Sequence, residues 1–379
     1  MKKISIIKDH YYSIFLIIYL FIGILVSMNV GITHDEPHSN WVWELNKKKI
    51  SNLFFSTNYD VSYLKTYHGY YGIGQYIVSV PIEFILSFIF NKDSITQDGS
   101  ILLIKHPTVF IFYFISGIYF RKIIHLITNK KNFSNLSTIL FLTYPYILGH
   151  SFFNIKDIPF MSIWVFCTYY LIKNLNNFFY TNKLRLKDLL ILSIATSFLL
   201  SIRINGIIIF LEYLIFLIVY LNVFKKNILS FIIKTRKDIL IFIVTFIGST
   251  FFLYPNFWDQ PEKFFEAIFF FNKFIQTVCT ITLGECMKTQ SLPPSYIFIW
   301  LFFKLPILIL AGLILFPFVE KKLFNNKNNI LIIGSLIITV LSIIIIFALL
   351  KVNLYDEIRQ ILFLVPLIFI ISLSILFKF

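Results

Sequence analysis

Gly31-Ile32-Thr33-His34-Asp35-Glu36-Pro37-His38 follows directly on the first long apolar run, 11–30, and packs two acids and two histidines into five residues. A carboxylate at such an apolar–polar boundary is partly desolvated, which raises its basicity and suits it to take a proton. Asp35 is the candidate general base, with Glu36 beside it. The competing reading is an ordinary helix start, because Pro37 and neighbouring acids both favour a helix N-terminus. His34 and His38 are four apart and would share a helix face with Asp35, as metal ligands do. Pro37 between them, and the place of His34 ahead of the helix, favour a headgroup or phosphate contact or a structural role, and no metal site is assigned.

Three further clusters carry charge between apolar runs. Asn154-Ile155-Lys156-Asp157 leaves no room for a loose loop, and charge so placed marks a functional site. Asp157 is grouped with Asp35 and Glu36 as catalytic, and Asn154 and Lys156 as substrate-binding. Arg203, two residues before Asn205, has the planar fork suited to phosphate, or it snorkels from a span end. Tyr355-Asp356-Glu357-Ile358-Arg359-Gln360 offers Tyr355 and Arg359 to a phosphate, or Arg359 to a local ion pair. Cys279 and Cys286 can close a disulfide loop, although two cysteines do not by themselves fix a pairing.

The elements that must position these residues are membrane helices. Of 379 residues, 58% are hydrophobic and 14% charged, where a soluble domain carries roughly 25% charged. The apolar runs are continuous, which excludes an alternating β-barrel pattern. The net charge of +15 is carried largely by short linkers, so it reads as a topology signal and as affinity for anionic membrane lipids, with no nucleic acid.

Apolar runs of spanning length lie at 11–30, 71–90, 102–120, 134–152, 158–175, 188–203, 206–224, 238–254, 296–319, 330–350 and 361–377. If 71–90 dips in and returns, or lies at the surface, the inner loops hold 20 Lys/Arg and the outer ones 13. If it crosses, the bias reverses. The positive-inside rule therefore predicts an all-α, multi-pass protein of about ten spans, with both termini cytoplasmic and one re-entrant or interfacial helix. Residues 1–379 form one domain. The outer face then gathers the first loop 31–101, the turns at 154–157 and 203–205, a second large loop 255–295 and the turn Asn353 to Gln360. Glu262 to Phe271 reads as an amphipathic surface helix.

With Asp35-Glu36, Asn154 to Phe160, Trp258-Asp259-Gln260-Pro261, Leu292-Pro293-Pro294-Ser295-Tyr296, Lys304-Leu305-Pro306 and Tyr355-Asp356 with Arg359 laid out in order, the chain resembles the GT-C superfamily of integral-membrane glycosyltransferases. The likeness is to family 39 and its bacterial protein-mannosyltransferase-like relatives, over almost the whole chain. It implies a polyprenyl-phosphate-sugar donor, inversion, Asp35 as the base that deprotonates the acceptor, and Asp157 near the acceptor. The family has an Arg before the span that follows the first loop; here Lys105 and His106 stand there as candidate phosphate contacts. The acceptor would be a protein, a glycolipid or a polysaccharide. No metal is obligatory, since a polyprenyl phosphate already leaves readily. The charge bias puts the expected site on the outer, periplasmic face, and the membrane is read as a bacterial inner membrane. The alternative is a transporter or flippase, which would place ionisable residues such as Glu83, Glu212 or Lys304 at mid-membrane.

Overall fold

A computed structural model describes residues 2–89, 97–273, 279–289, 292–352 and 354–379. Parts of both large outer loops, residue 90 of the 71–90 segment and Asn353 of the last turn lie outside these. The chain is helical apart from one hairpin. Its first third comprises α1 (Lys2–Ser27), α2 (Asp35–Phe55), α3 (Gly74–Ile89), α4 (Gln97–Ser100), α5 (His106–Thr128) and α6 (Lys131–Leu142). The middle comprises α7 (Pro145–His150), α8 (Asp157–Thr181), α9 (Leu186–Ile202), α10 (Ile209–Val223), α11 (Ile228–Leu253) and α12 (Lys263–Lys273). Strands β1 (Cys279–Thr282) and β2 (Glu285–Lys288) pair antiparallel. Then follow α13 (Tyr296–Lys304), α14 (Ile307–Ile314), α15 (Phe316–Phe324), α16 (Lys327–Asn329), α17 (Ser335–Leu349) and α18 (Val365–Lys378).

Local chemistry sets several boundaries. Asn129 and Asn182 stop α5 and α8 in the left-handed region, φ 50° and 54°, each returning its N–H to a carbonyl of the last turn. Asparagine tolerates this conformation better than most residues. Thr143 and Pro145 divide the 134–152 run into α6 and α7. Leu305-Pro306 breaks the 296–319 run, and α13 and α14 meet at 118°. Proline has no N–H and disfavours helix in the residue before it.

Among the described residues, four helical stretches are long and apolar enough to cross a membrane: Asp98–Thr128, Ile204–Val223, Lys327–Leu349 and Arg359–Lys378. The bent pair α13 and α14 makes five. Runs read from hydropathy exceed this number because several are split or shortened at helix boundaries, as at Thr143 and Pro306. The Tyr11–Ser27 and Gly74–Leu86 stretches are apolar but shorter.

The core is one cluster threading α5, α8, α9, α10, α17 and α18. α18 is its centre, with most of its side chains buried. Gly312 on α14 lies where any Cβ would overlap Ser372, whose hydroxyl donates to the Ile309 carbonyl at 2.7 Å.

The segments expected on the outer face meet at one pole. Asn256 bonds the carbonyls of Leu64 and Gly69, and Lys49 reaches Asp259 at 2.8 Å. On α12 the buried Ala267 packs with Tyr254 and Phe257 while Phe265 and Phe269 stay exposed, an amphipathic helix. At the opposite pole Asn328 bonds the Leu126 carbonyl, the Lys327 ammonium lies 3.6 Å from the Phe224 ring and Lys226 bonds Asn182. α3 packs against α9 and α2. Glu83, more than two turns along it, still lies 3.7 Å from Lys47 of α2.

Candidate active site

Asp35 and Glu36 part company at the start of α2. Successive residues on a helix point about 100° apart. Glu36 turns inward and is 1% exposed. It accepts from the Thr33 hydroxyl at 2.9 Å and pairs with His106 at 3.0 Å; the other His106 ring nitrogen meets the Ser27 carbonyl. The Glu36 N–H also donates to the Thr33 carbonyl at 3.2 Å, so Thr33 and Glu36 are tied together at the entry to α2. The Asp35 side chain turns outward and is 57% exposed. The partial desolvation expected from sequence is not supplied by the protein, because the carboxylate faces an open cleft.

Asp157 opens α8 and is 3% exposed. The Asn154 side chain accepts the Asp157 N–H at 2.9 Å and donates to its carboxylate at 3.0 Å. That short reciprocal turn fixes the carboxylate between two guanidiniums. Arg203 reaches Oδ1 at 2.5 Å, and Arg359 Nε reaches Oδ2 at 2.7 Å. Burial alone would raise the Asp157 pKa; the charges of Arg203 and Arg359, with bonds from Arg359 and Asn154, outweigh it and hold the group below the ordinary carboxylate range.

Arg359 is the hub. Its Nη2 donates to Asp35 at 3.0 Å and its Nη1 to Asp356 at 3.0 Å. Arg203, at the end of α9, also donates to Gln360 at 3.1 Å. Its place is set by a close approach. A Cβ at Gly72 would overlap the Ser201 carbonyl, and one at Gly74 the Ser201 hydroxyl.

Lys156 completes the site. Its ammonium lies 4.6 Å from the centre of the Tyr71 ring. Among the described residues no carboxylate is within 4 Å of it. Burial, then the nearby Arg203, bring its pKa down to about 8. A cleft of about 280 Å³ opens here, lined by His34, Asp35, His150, Lys156, Asp356 and Arg359.

No known protein family, curated protein or solved structure matches this chain.

The structure thus gathers Asp35, Asp157, Asn154, Lys156, Arg203 and Arg359, with His34 on the rim. Other expected site residues are elsewhere. Lys105 is drawn to Glu83 and to Ser79, against the rings of Trp43 and Tyr76. His106 is wholly buried with Glu36. His38 meets His68 at 3.0 Å, and burial, then Lys156 and His68, depress its pKa. Among the described residues no three His, Cys, Asp or Glu side chains are grouped to hold a metal. Tyr355 is half-buried and does not line the cleft.

His150, Asp356 and Gln360 join the site without having been assigned to it. His150 carries a sequence signal, since it lies four residues before Asn154 and their side chains meet at 3.3 Å.

Proposed function

We propose that this chain is a membrane glycosyltransferase that moves a sugar from a polyprenyl-phosphate donor to an acceptor hydroxyl, with inversion. The observation that carries the reading is the cleft itself: an exposed Asp35 carboxylate and the Lys156 ammonium, which among the described residues has no carboxylate within 4 Å, line the same cavity.

In this reading the phosphate of the donor lies against Lys156 and the outer edge of Arg359. The acceptor oxygen attacks the anomeric carbon as the bond from that carbon to the phosphate oxygen breaks. The acceptor proton passes to Asp35, and the bonding pair leaves with the phosphate. A singly charged phosphodiester becomes a doubly charged monoester. Fixed cations stabilise that growth in charge without reorganising. An acceptor filling the cleft would also desolvate Asp35, as the open protein does not. Asp157 acts through Arg203 and Arg359 as a positioning residue. Glu36, Lys105 and His106 hold the scaffold.

The apolar runs and the Lys/Arg bias are read as about ten crossings with α3 at the interface. The Lys/Arg bias then sets both termini in the cytoplasm and the cleft on the periplasmic side of a bacterial inner membrane. Membrane lipids and the lipid-linked donor are the partners, and the acceptor is a protein, glycolipid or polysaccharide. The GT-C likeness of the motifs agrees with this layout.

One observation favours a transporter instead. Glu212 is fully buried in a candidate span, and its hydrogen-bond donors among the described residues are neutral, Trp164 at 2.6 Å and Thr168 at 2.7 Å. A single test separates the two readings. Purified protein in lipid receives labelled polyprenyl-phosphate hexoses with crude envelope as acceptor, wild type beside Asp35→Asn. Release of polyprenyl phosphate by wild type alone is the expected result. Absence of release with every hexose tried, alongside uptake of labelled substrate into sealed vesicles, would favour transport.

A further inference from the structure

The turn that carries Arg359 is held in an unfavourable shape. Asp356 and Glu357 both have positive φ, 54° and 62°. Neither is glycine, and such residues keep this conformation only when their surroundings impose it. The imposing contacts come from α13, which grips Glu357 at both ends. The Glu357 backbone N–H donates to the Tyr296 hydroxyl at 3.1 Å, and the Glu357 carboxylate meets the Lys304 ammonium at 2.6 Å.

The first turn of α13 is gripped in its own right by the hairpin. Tyr296 is hydrogen-bonded with Thr280 at 3.3 Å, and the Trp300 indole donates to Thr282 at 3.2 Å. Cys279 and Cys286 close that hairpin with a disulfide. The path from the disulfide to the site therefore runs through Thr280, Tyr296, the Glu357 amide and Arg359. Tyr296 is 1% exposed, so little else competes for its hydroxyl.

We propose that α13 and its disulfide-closed hairpin form a clamp that fixes the Arg359 turn, with Tyr296 and Lys304 as positioning residues. The consequence for transfer rests on the proposed role of Arg359; the clamp does not.

The test reads the two separately. Amide hydrogen exchange over 354–362 is measured on the full protein in lipid nanodiscs for wild type, Tyr296→Phe, Lys304→Met and the reduced wild type. Tyr296→Phe deletes one hydroxyl and keeps the ring, so the fold survives. Loss of one hydrogen bond predicts exchange in the turn faster by about three- to tenfold, with α18 unchanged. Reduction shifts the same peptides in the same direction. Unchanged protection in both Tyr296→Phe and the reduced protein overturns the clamp. Donor-release kinetics follow on the same samples: kcat falls while KM for the donor changes by less. Faster exchange in the variants of a protein that releases no donor at all keeps the clamp and rejects the transferase reading.

Discussion

Asp35 and Asp157 hold one guanidinium from two sides: Arg359 gives Nη2 to the first at 3.0 Å and Nε to the second at 2.7 Å. The two acids differ in every other respect. One is open to the cleft and the other is sealed beneath it. Their roles therefore separate by mutation.

Asp35→Asn should lower transfer by about 10²–10⁴-fold, the range for loss of a general base. An exposed ion pair contributes at most about 1 kcal/mol, so expression and the thermal midpoint in detergent should barely change. Normal transfer in this variant would remove Asp35 from the chemistry.

Asp157→Asn should instead unfold the protein early. It removes a buried anion shared by two partly buried guanidiniums, a loss of up to about 3–5 kcal/mol. Thermal unfolding in detergent reads this directly. A midpoint equal to wild type would show that Arg203 and Arg359 find other anions.

Glu36→Ala tests the division between adjacent acids. It strands the Thr33 hydroxyl and the His106 ring in a buried site, which costs about 1–3 kcal/mol. Stability should fall more than in Asp35→Asn, while the residual transfer per folded molecule stays near wild type. A stable but inactive Glu36→Ala would make Glu36 the reacting carboxylate.

Lys156 predicts a pH limb. Its ammonium is lost as the pH rises through about 8. The donor kcat/KM, which reports the free enzyme, should fall about tenfold per unit above that pH. The limb should vanish in Lys156→Met. Stability moves the other way. The folded pKa is below the unfolded one, so the cost of burying the ammonium is fully present below about 8 and is relieved towards 10.5. A pH-independent kcat/KM between 7 and 9.5 would contradict the assignment.

Gly74→Ala should push α3 off the end of α9, because its Cβ would overlap the Ser201 hydroxyl. Overpacking of this kind costs about 1–3 kcal/mol. Arg203 lies two residues beyond Ser201, so transfer should fall with stability. Ser201→Gly in the same chain should restore part of both. No rescue would place the damage elsewhere.

Asp35, Asp157, Arg203 and Arg359 were legible because charge between apolar runs is costly and stands out. Glu36 was not separable from Asp35 by type or position; only the helix, by turning one inward, divides them. Lys105 was misplaced for a related reason. Its neighbour in space is Glu83 on α3, and nothing local in sequence joins the two. Of the eleven apolar runs, four or five coincide with helices that meet length and composition among the described residues. Hydropathy sums across Thr143 and Pro306, where the backbone bends. His150 was missed because a lone histidine near a helix end has many uses, and its link to Asn154 becomes specific only when both face one cleft.

Arg359 comes after Asp35, Asp157 and Arg203 in the chain. During synthesis the first three are therefore made and delivered to the membrane before their hub exists. In the finished fold Asp35 and Asp157 share Arg359, so neither acid has that partner before it is made. The site is completed only when the last helix docks, so a stalled or truncated chain carries the acids without the group that binds them together. The residue that gathers the two acids thus arrives with the turn leading into α18, the helix at the centre of the core.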